Sequence, residues 1–452
     1  MDQRHVLHDV LQKLRDAGAQ GDAYLQESRT LEVAVREGKL EEIQQAGIRG
    51  LGIRAIRDGK LGFVHTSDVG EEGAKHAAEK ALDLARFATP REDLLIPEAT
   101  GPTDGRDEGE PLGIYDPSIA ERPIHEKEDW ARSAESIARA HDERITKTEG
   151  AFYSEAISSV WLANTKGLFR HYRGSQVEVG VEVVASANDE LQIGDASAKS
   201  RSWDGIPPAG ELGRKAGDRA VKLLGGRPVP SGRYPVVFSP EAGWTVLVYV
   251  ANALQGDHLS KKRSWLSGRM GETIGTGIVT IRDDGRLSGG PATIPFDGEG
   301  IDTRSVDLIA GGTVAGGLYD ITAARRSGTQ STGSARRGGY AGLPEISASN
   351  LYLVPGERPP EEIVGDVGRG LWVWGMSGWW IGLDPSNADF SSAAFGVWIE
   401  EGKPAGPVAR VSVAGSIEDI LGGIDAIGND LTHNHETKTP TFRVRALSVS
   451  GT

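Results

Sequence analysis

Apolar residues along this chain switch between two rhythms. Over residues 5–17, Val6, Leu7, Val10, Leu11 and Leu14 fall at helical spacing and form one face. A period of two then takes over. Leu31, Val33 and Val35 alternate with polar neighbours up to a turn at Glu37-Gly38. Leu51, Ile53 and Ala55 alternate up to Asp58-Gly59, a strong two-residue hairpin signal, and Leu61 and Phe63 continue on the return strand. Residues 71–88 revert to helical spacing, with Ala74, Ala77, Ala78, Ala81, Leu82 and Ala85 inward. Residues 98–123 carry Pro, Gly and acids with little to bury, and read as a linker or surface loop.

A helix over 125–141 is predicted, with Trp130, Ile137 and Ala138 on one side. Strands dominate to about 200, clearest where Val177, Val179, Val181 and Val183 alternate with Glu178, Gly180 and Glu182. A helix near 208–224 stops at Gly225-Gly226. Another starts with Ser239 as N-cap and Pro240 in the first turn, and Gly256 closes it. Short strands and glycine turns follow, and no repeat of 20–50 residues is evident. This order predicts an α+β fold. Its parts are an N-terminal domain of hairpins and helices (1–115), a middle sheet-helix section (116–228) and a large β-rich C-terminal domain (229–452).

A length of 452 residues exceeds one core, and 61 glycines imply many turns and bulges. The net charge of −14 opposes a nucleic-acid role, which needs clustered Lys and Arg. There is no cysteine, hence neither a disulfide nor a thiolate metal site. The start of the chain has no apolar stretch of signal-peptide type, and the longest apolar run, around 244–254, is shorter than the roughly 20 residues of a membrane span. A cytoplasmic protein with no membrane partner is expected.

Residues 239–257 are followed by Arg282-Asp283-Asp284, by Pro295-Phe296-Asp297-Gly298-Glu299-Gly300 and by Ser331-Thr332-Gly333-Ser334-Ala335-Arg336. Near the N-terminus stands Gly47-Ile48-Arg49-Gly50-Leu51-Gly52-Ile53-Arg54. This set resembles the TldD/PmbA family, the gyrase modulators, subunits of a cytosolic zinc peptidase. In the peptidase subunit the helix carries HExxxH ahead of a Gly-Asp. Counted back from Gly256-Asp257, those positions are Leu247, Val248 and Asn252. No histidine lies between His171 and His258, and no Asp or Glu between Glu241 and Asp257. The family's further ligand is a cysteine. A zinc peptidase needs about three protein ligands and a carboxylate that activates water. The resemblance therefore implies a PmbA or TldE-type subunit with no cofactor of its own and no catalytic residues. Zinc is expected only in a HExxxH-bearing partner.

Candidate substrate-binding residues follow, each with a plainer alternative. Asp297 and Glu299 are either a paired-carboxylate acid/base site or acids of a glycine-rich turn that cap backbone N–H groups or pair with Arg304; the turn is favoured over catalysis, and both are kept as candidates for shaping the cleft. Thr332, Gly333 and Arg336, in the family-like TGxAR segment, either hold a peptide's backbone or carboxylate or form a solvated basic loop. Asn350 bonds a substrate backbone or caps a strand. Adjacent, glycine-flanked Trp379 and Trp380 cannot both enter one core, so one of them is expected to face a partner or ligand, whereas Trp398 suits a core. His433 and His435 read as exposed loop histidines, and His258 lacks a partner at ligand spacing. Ala388-Asp389-Phe390-Ser391 departs from the family's Gly-Asp-Phe-Ser by its alanine.

The expected function is that of the non-catalytic subunit of a two-protein peptidase. The TldD-like partner supplies metal and base, and an unfolded peptide enters as an added strand. A stand-alone homodimeric peptide-binding protein without hydrolysis is the first alternative. A metal-independent hydrolase using Asp297, Glu299 or a serine is the second, without a Gly-x-Ser-x-Gly setting to support it.

Overall fold

The computed structural model describes residues 3–99 and 101–451; Met1, Asp2, Thr100 and Thr452 lie outside them. The fold is α+β. The helices are α1 (Gln3–Asp16), α2 (Glu71–Phe87), α3 (Ser118–Glu121), α4 (Ile124–Ala140), α5 (Ala209–Lys222), α6 (Pro240–Ala253) and α7 (Gly256–Ser260). The first strands are β1 (Gln20–Arg36), β2 (Lys39–Arg57), β3 (Lys60–Thr66), β4 (Ile145–Asn164), β5 (Phe169–Ala187), β6 (Glu190–Ser200) and β7 (Gly232–Phe238).

Strands β1–β6 form one antiparallel sheet in the order β3-β2-β1-β4-β5-β6. Sequence order is thereby mirrored about the β1/β4 pair. Each half runs helix, three strands, helix: α1-β1-β2-β3-α2 and α4-β4-β5-β6-α5. This duplication is longer than the 20–50-residue repeats sought in the sequence, and it lives in the topology.

One parity of the strands explains where the helices go. Ala23, Leu25, Leu31, Val33 and Val35 of β1, with Ala151, Tyr153 and Ala163 of β4, are all odd-numbered and feed two adjoining cores. Both helix pairs therefore lie side by side on one face of the sheet. Val6, Leu7, Val10, Leu11 and Leu14 of α1 are buried there, and so are Ala74, Ala77, Ala78, Ala81 and Ala85 of α2. Each large apolar side chain so buried contributes about 1.5–3 kcal/mol. The last helix of each half rests directly on a strand glycine. Gly62 of β3 lies against the backbone of Ala81 and Ala85, and Gly194 of β6 against that of Ala216 and Ala220.

Residues 98–123 differ from the expected loop. Leu112, Ile114 and Ile119 are buried, and Glu108 N–H and Ser175 N–H exchange bonds with the His171 and Ile114 carbonyls, at 3.0 and 2.8 Å. The reason is register. β6 pairs only with residues 177–187 of β5, so residues 171–175 are left to bond this segment.

In the C-terminal half, β7 pairs with residues 369–377 and 442–451, which continue into 389–400 and 403–416; the pairing of 403–416 with 442–451 closes the ring. A second sheet joins residues 305–310, 281–284, 351–353 and 437–438. α6 lies in the core common to both, with Ala242, Val246, Leu247 and Val250 buried. It ends at Ala253; Gly256 opens α7 instead, pressed against Tyr319. Trp398 is in this core, as expected.

Gly194→Ala should destabilise the protein by about 1–3 kcal/mol, because the added Cβ meets the Ala216 carbonyl oxygen and α5 must lift. Gly47→Ala, with open space around it, should stay within about 0.5 kcal/mol. Urea unfolding of both variants makes the comparison.

Candidate functional site

The sheet face away from the helices receives loops of the C-terminal half through a buried set of charges. Asp22 of β1 and Arg54 of β2 are opposed across the strand pair. Arg54 Nε donates to Asp22 Oδ2 at 2.8 Å, and Arg337 Nη2 donates to Asp22 Oδ1 at 3.0 Å. Arg54 Nη1 is also 3.5 Å from Glu299 Oε1. Burial alone would raise the Asp22 carboxyl, but the two guanidiniums hold it below its ordinary range. Glu299 goes the other way. Burial pushes it up to about 7, against the pull of Arg54.

The sequence-predicted residues fall into this region and one other. Asp297 is 1% exposed and accepts the backbone N–H groups of Glu299 (2.9 Å), Ile301 (3.0 Å) and Ala335 (3.0 Å). Glu299 Oε2 accepts the Ile321 N–H at 2.9 Å. These two carboxylates thus pin turns, and the neighbouring cation is Arg54 rather than Arg304. Thr332 Oγ1 accepts the Tyr319 N–H at 2.7 Å, and Gly333 has φ +70° with the Asp302 carbonyl where a Cβ would stand. Asn350 is engaged at both ends of its amide, by Ala292 N–H (2.9 Å) on one side and by the Asp284 carbonyl (2.6 Å) and Thr293 hydroxyl (2.9 Å) on the other. Arg336 lines a pocket of about 180 Å³ with Tyr24, Tyr172 and Phe296, and its buried Nε has no partner.

Trp379 lies elsewhere. Its ring packs edge-on against Trp244 of α6, centroids 5.0 Å apart, while Trp380 is 61% exposed. Trp244 borders a cleft of about 410 Å³ between the two halves of the molecule. One wall is Asp195–Ser197 of β6 with Lys215 and Arg219 of α5; the other is the first turn of α6, Met376, Phe395 and residues 432–438. His435 is in that wall, half-buried with Nε2 3.2 Å from the Ser197 carbonyl, rather than out in solvent. Burial pushes its pKa down to about 4. His433 is exposed, edge-on to Tyr352, and His258 Nδ1 is 2.9 Å from the Asn252 carbonyl.

Three family profiles match in chain order: PmbA/TldA metallopeptidase domain 1 over residues 21–85, the central domain over 117–224 and the C-terminal domain over 231–451. The chain belongs to the PmbA/TldD metallopeptidase family. It is 25% identical to the metalloprotease PmbA of Escherichia coli O157:H7, over 99% of this chain and 97% of that protein. A metalloprotease of Methanothermobacter thermautotrophicus is 27% identical, over 94% and 91%. In structure, TldE of Thermococcus kodakarensis superposes with a TM-score of 0.85 at 21% identity, covering 99% of this chain and all of that one.

The family's metal does not fit the donors on α6. Leu247 is 2% exposed within the core, Val248 is apolar, and Asn252 offers a neutral amide. Among the described residues, no group of three or more His, Asp or Glu is arranged to hold an ion. Nor is any helix among them long and apolar enough to cross a membrane. Sequence reasoning missed Lys215, Arg219, Glu241 and Lys438 of the cleft. The one local signal was Lys215 and Arg219, four apart and so on one helix face.

Asp22→Asn strands two buried guanidiniums, and urea unfolding should show a loss of about 3–5 kcal/mol. Glu299 has a folded pKa above its unfolded value, so its contribution is full below pH 4.5 and is lost as pH rises through about 7. Glu299→Gln should therefore flatten the decline of melting temperature across pH 4.5–7 relative to the parent.

Proposed function

We propose that this chain is the non-catalytic, TldE-type subunit of a two-protein zinc peptidase. It lines the peptide cleft, while a HExxxH-bearing, TldD-like partner supplies the metal and the base. One observation carries the reading. On α6, the positions that correspond by resemblance to HExxxH, counted back from Gly256-Asp257, are Leu247, Val248 and Asn252, and Leu247 is shut into the core.

The cleft's construction supports a peptide as the ligand. β6 is the last strand of its sheet, and its outer side borders the cleft at Asp195–Ser197. Lys199 N–H of the same strand already bonds the Asn434 carbonyl at 2.8 Å, so this edge accepts further main chain. An extended peptide laid there gains main-chain hydrogen bonds, with Trp244, Met376 and Phe395 as apolar contacts for side chains. Folded proteins lack the free backbone this requires. The substrates are then unfolded polypeptides in the cytoplasm, with neither nucleic acid nor membrane involved.

Metal analysis and peptide hydrolysis should be measured on the purified chain, alone and mixed with a HExxxH relative from the same genome. The expected result is substoichiometric zinc and no hydrolysis alone, then a stable complex with chelator-sensitive hydrolysis. Stoichiometric zinc, or hydrolysis by the chain alone, overturns the proposal. Peptide binding by a homodimer that ignores the relative would make it a stand-alone peptide-binding protein.

A further inference from the structure

Around the cleft one cation is left without a contact partner, although the charges there balance in number. Lys215 Nζ is 2.7 Å from Glu241 Oε1, and Lys199 Nζ is 2.9 Å from Glu436 Oε1. Arg219 Nη1 donates to the Asp195 carbonyl at 2.9 Å and lies 3.6 Å from its carboxylate, while Nη2 donates to the Trp374 carbonyl at 3.1 Å. Lys438 lines the same cleft and is only 9% exposed, and its side chain makes neither a hydrogen bond nor an ion pair among the described residues. Its field comes from the cleft itself. Burial lowers its pKa, Glu241 and Asp195 oppose this, and Lys215 and Arg219 add to it.

The stem of Lys438 is buried, while its ammonium, met by no acceptor, opens at the wall of the cleft. We propose that Lys438 anchors a carboxylate-binding subsite, which takes the C-terminal or an acidic side-chain carboxylate of a peptide lying in the cleft. The inference rests on the reading of this cleft as a peptide site. A single carboxylate matches the single ammonium without a contact partner. A dianionic phosphate would meet Glu241 and Asp195 without a second free cation to offset them. The first turn of α6, which carries Glu241 and Trp244, faces the same space and adds the positive end of a helix dipole. Trp244 and Met376 supply the apolar wall beside the charge, as ligand sites commonly do.

Fluorescence anisotropy with labelled unstructured peptides tests this, on the chain alone and mixed with its HExxxH relative. Three peptides are compared: a free C-terminal acid with one internal Asp, its C-terminal amide, and its Asp→Asn version. One neutralisation should weaken binding about tenfold or more, and which one does so identifies the carboxylate used. Lys438→Met should weaken the acid peptide equally and abolish the difference between peptides. Its melting temperature should stay level or rise, because a charge without a contact partner is removed; Lys438→Arg should retain part of the preference. Equal affinity for all three peptides, or binding unaffected by Lys438→Met and Lys438→Arg, overturns the inference and leaves the peptide cleft standing. Should Lys438→Met fail to fold, Lys438 serves the fold, and a Lys438→Arg variant that then binds all three peptides alike overturns the inference. Binding of none of the peptides, with or without the relative, overturns both.

Discussion

Asp22 is the constraint on which the arrangement of the molecule depends. One buried carboxylate faces Arg54 from the neighbouring strand and Arg337 from the C-terminal half, with Glu299 on the far side of Arg54. The Asp22 carboxylate is tolerable in the interior only with its two guanidiniums, whose attraction outweighs its desolvation. The set therefore joins the N-terminal sheet to the loops of the C-terminal half at a fixed angle. Arg201, donating to the Gly290 and Thr293 carbonyls at 3.1 and 2.9 Å, ties the other half of the sheet to the same region. With both ties made, β6 comes to rest across from α6 and the cleft exists.

Much of the scaffold was legible because its signals are local. Alternation at Val177–Val183, the helical spacing in 5–17 and Asp58-Gly59 each speak for a few residues, and the structure follows them; Asp58 and Gly59 take φ of 52° and 70°. The family motifs were also visible as strings. What Asp297 and Asn350 touch was not, since their partners at Ala335 and Ala292 lie 38 and 58 residues away. The cleft was the least legible part. Lys215 and Lys438 belong to different halves, and no periodicity links positions so far apart. The strap at 107–115 escaped notice for a similar reason. Its few apolar residues matter only because β6 leaves part of β5 unpaired.

The apolar character of α6 and its position are one feature. Wedged between the closed ring and the second sheet, it is packed on most of its circumference, and only a narrow stripe with Glu241 and Trp244 borders the cleft. A helix in this place that carried imidazoles and a carboxylate would need a metal, or hydrogen-bond partners, to offset their burial. Leu247 and Val248 need only contact. The cleft is thus left with charges drawn from α5, β6, residues 432–438 and Glu241 at the start of α6, and its selectivity must come from them.

The Asp22–Arg337 contact spans 315 positions of sequence. During synthesis, β1 and β2 pair early and bring Asp22 to Arg54, yet the second guanidinium leaves the ribosome only after three quarters of the chain has been made. Until then the cover on the underside of the first sheet is incomplete. Long-range closure of this kind slows folding and prolongs the exposure of incomplete states. A nascent or truncated chain would display that incompletely covered underside to chaperones and proteases, which makes the last-formed contact a checkpoint on completeness.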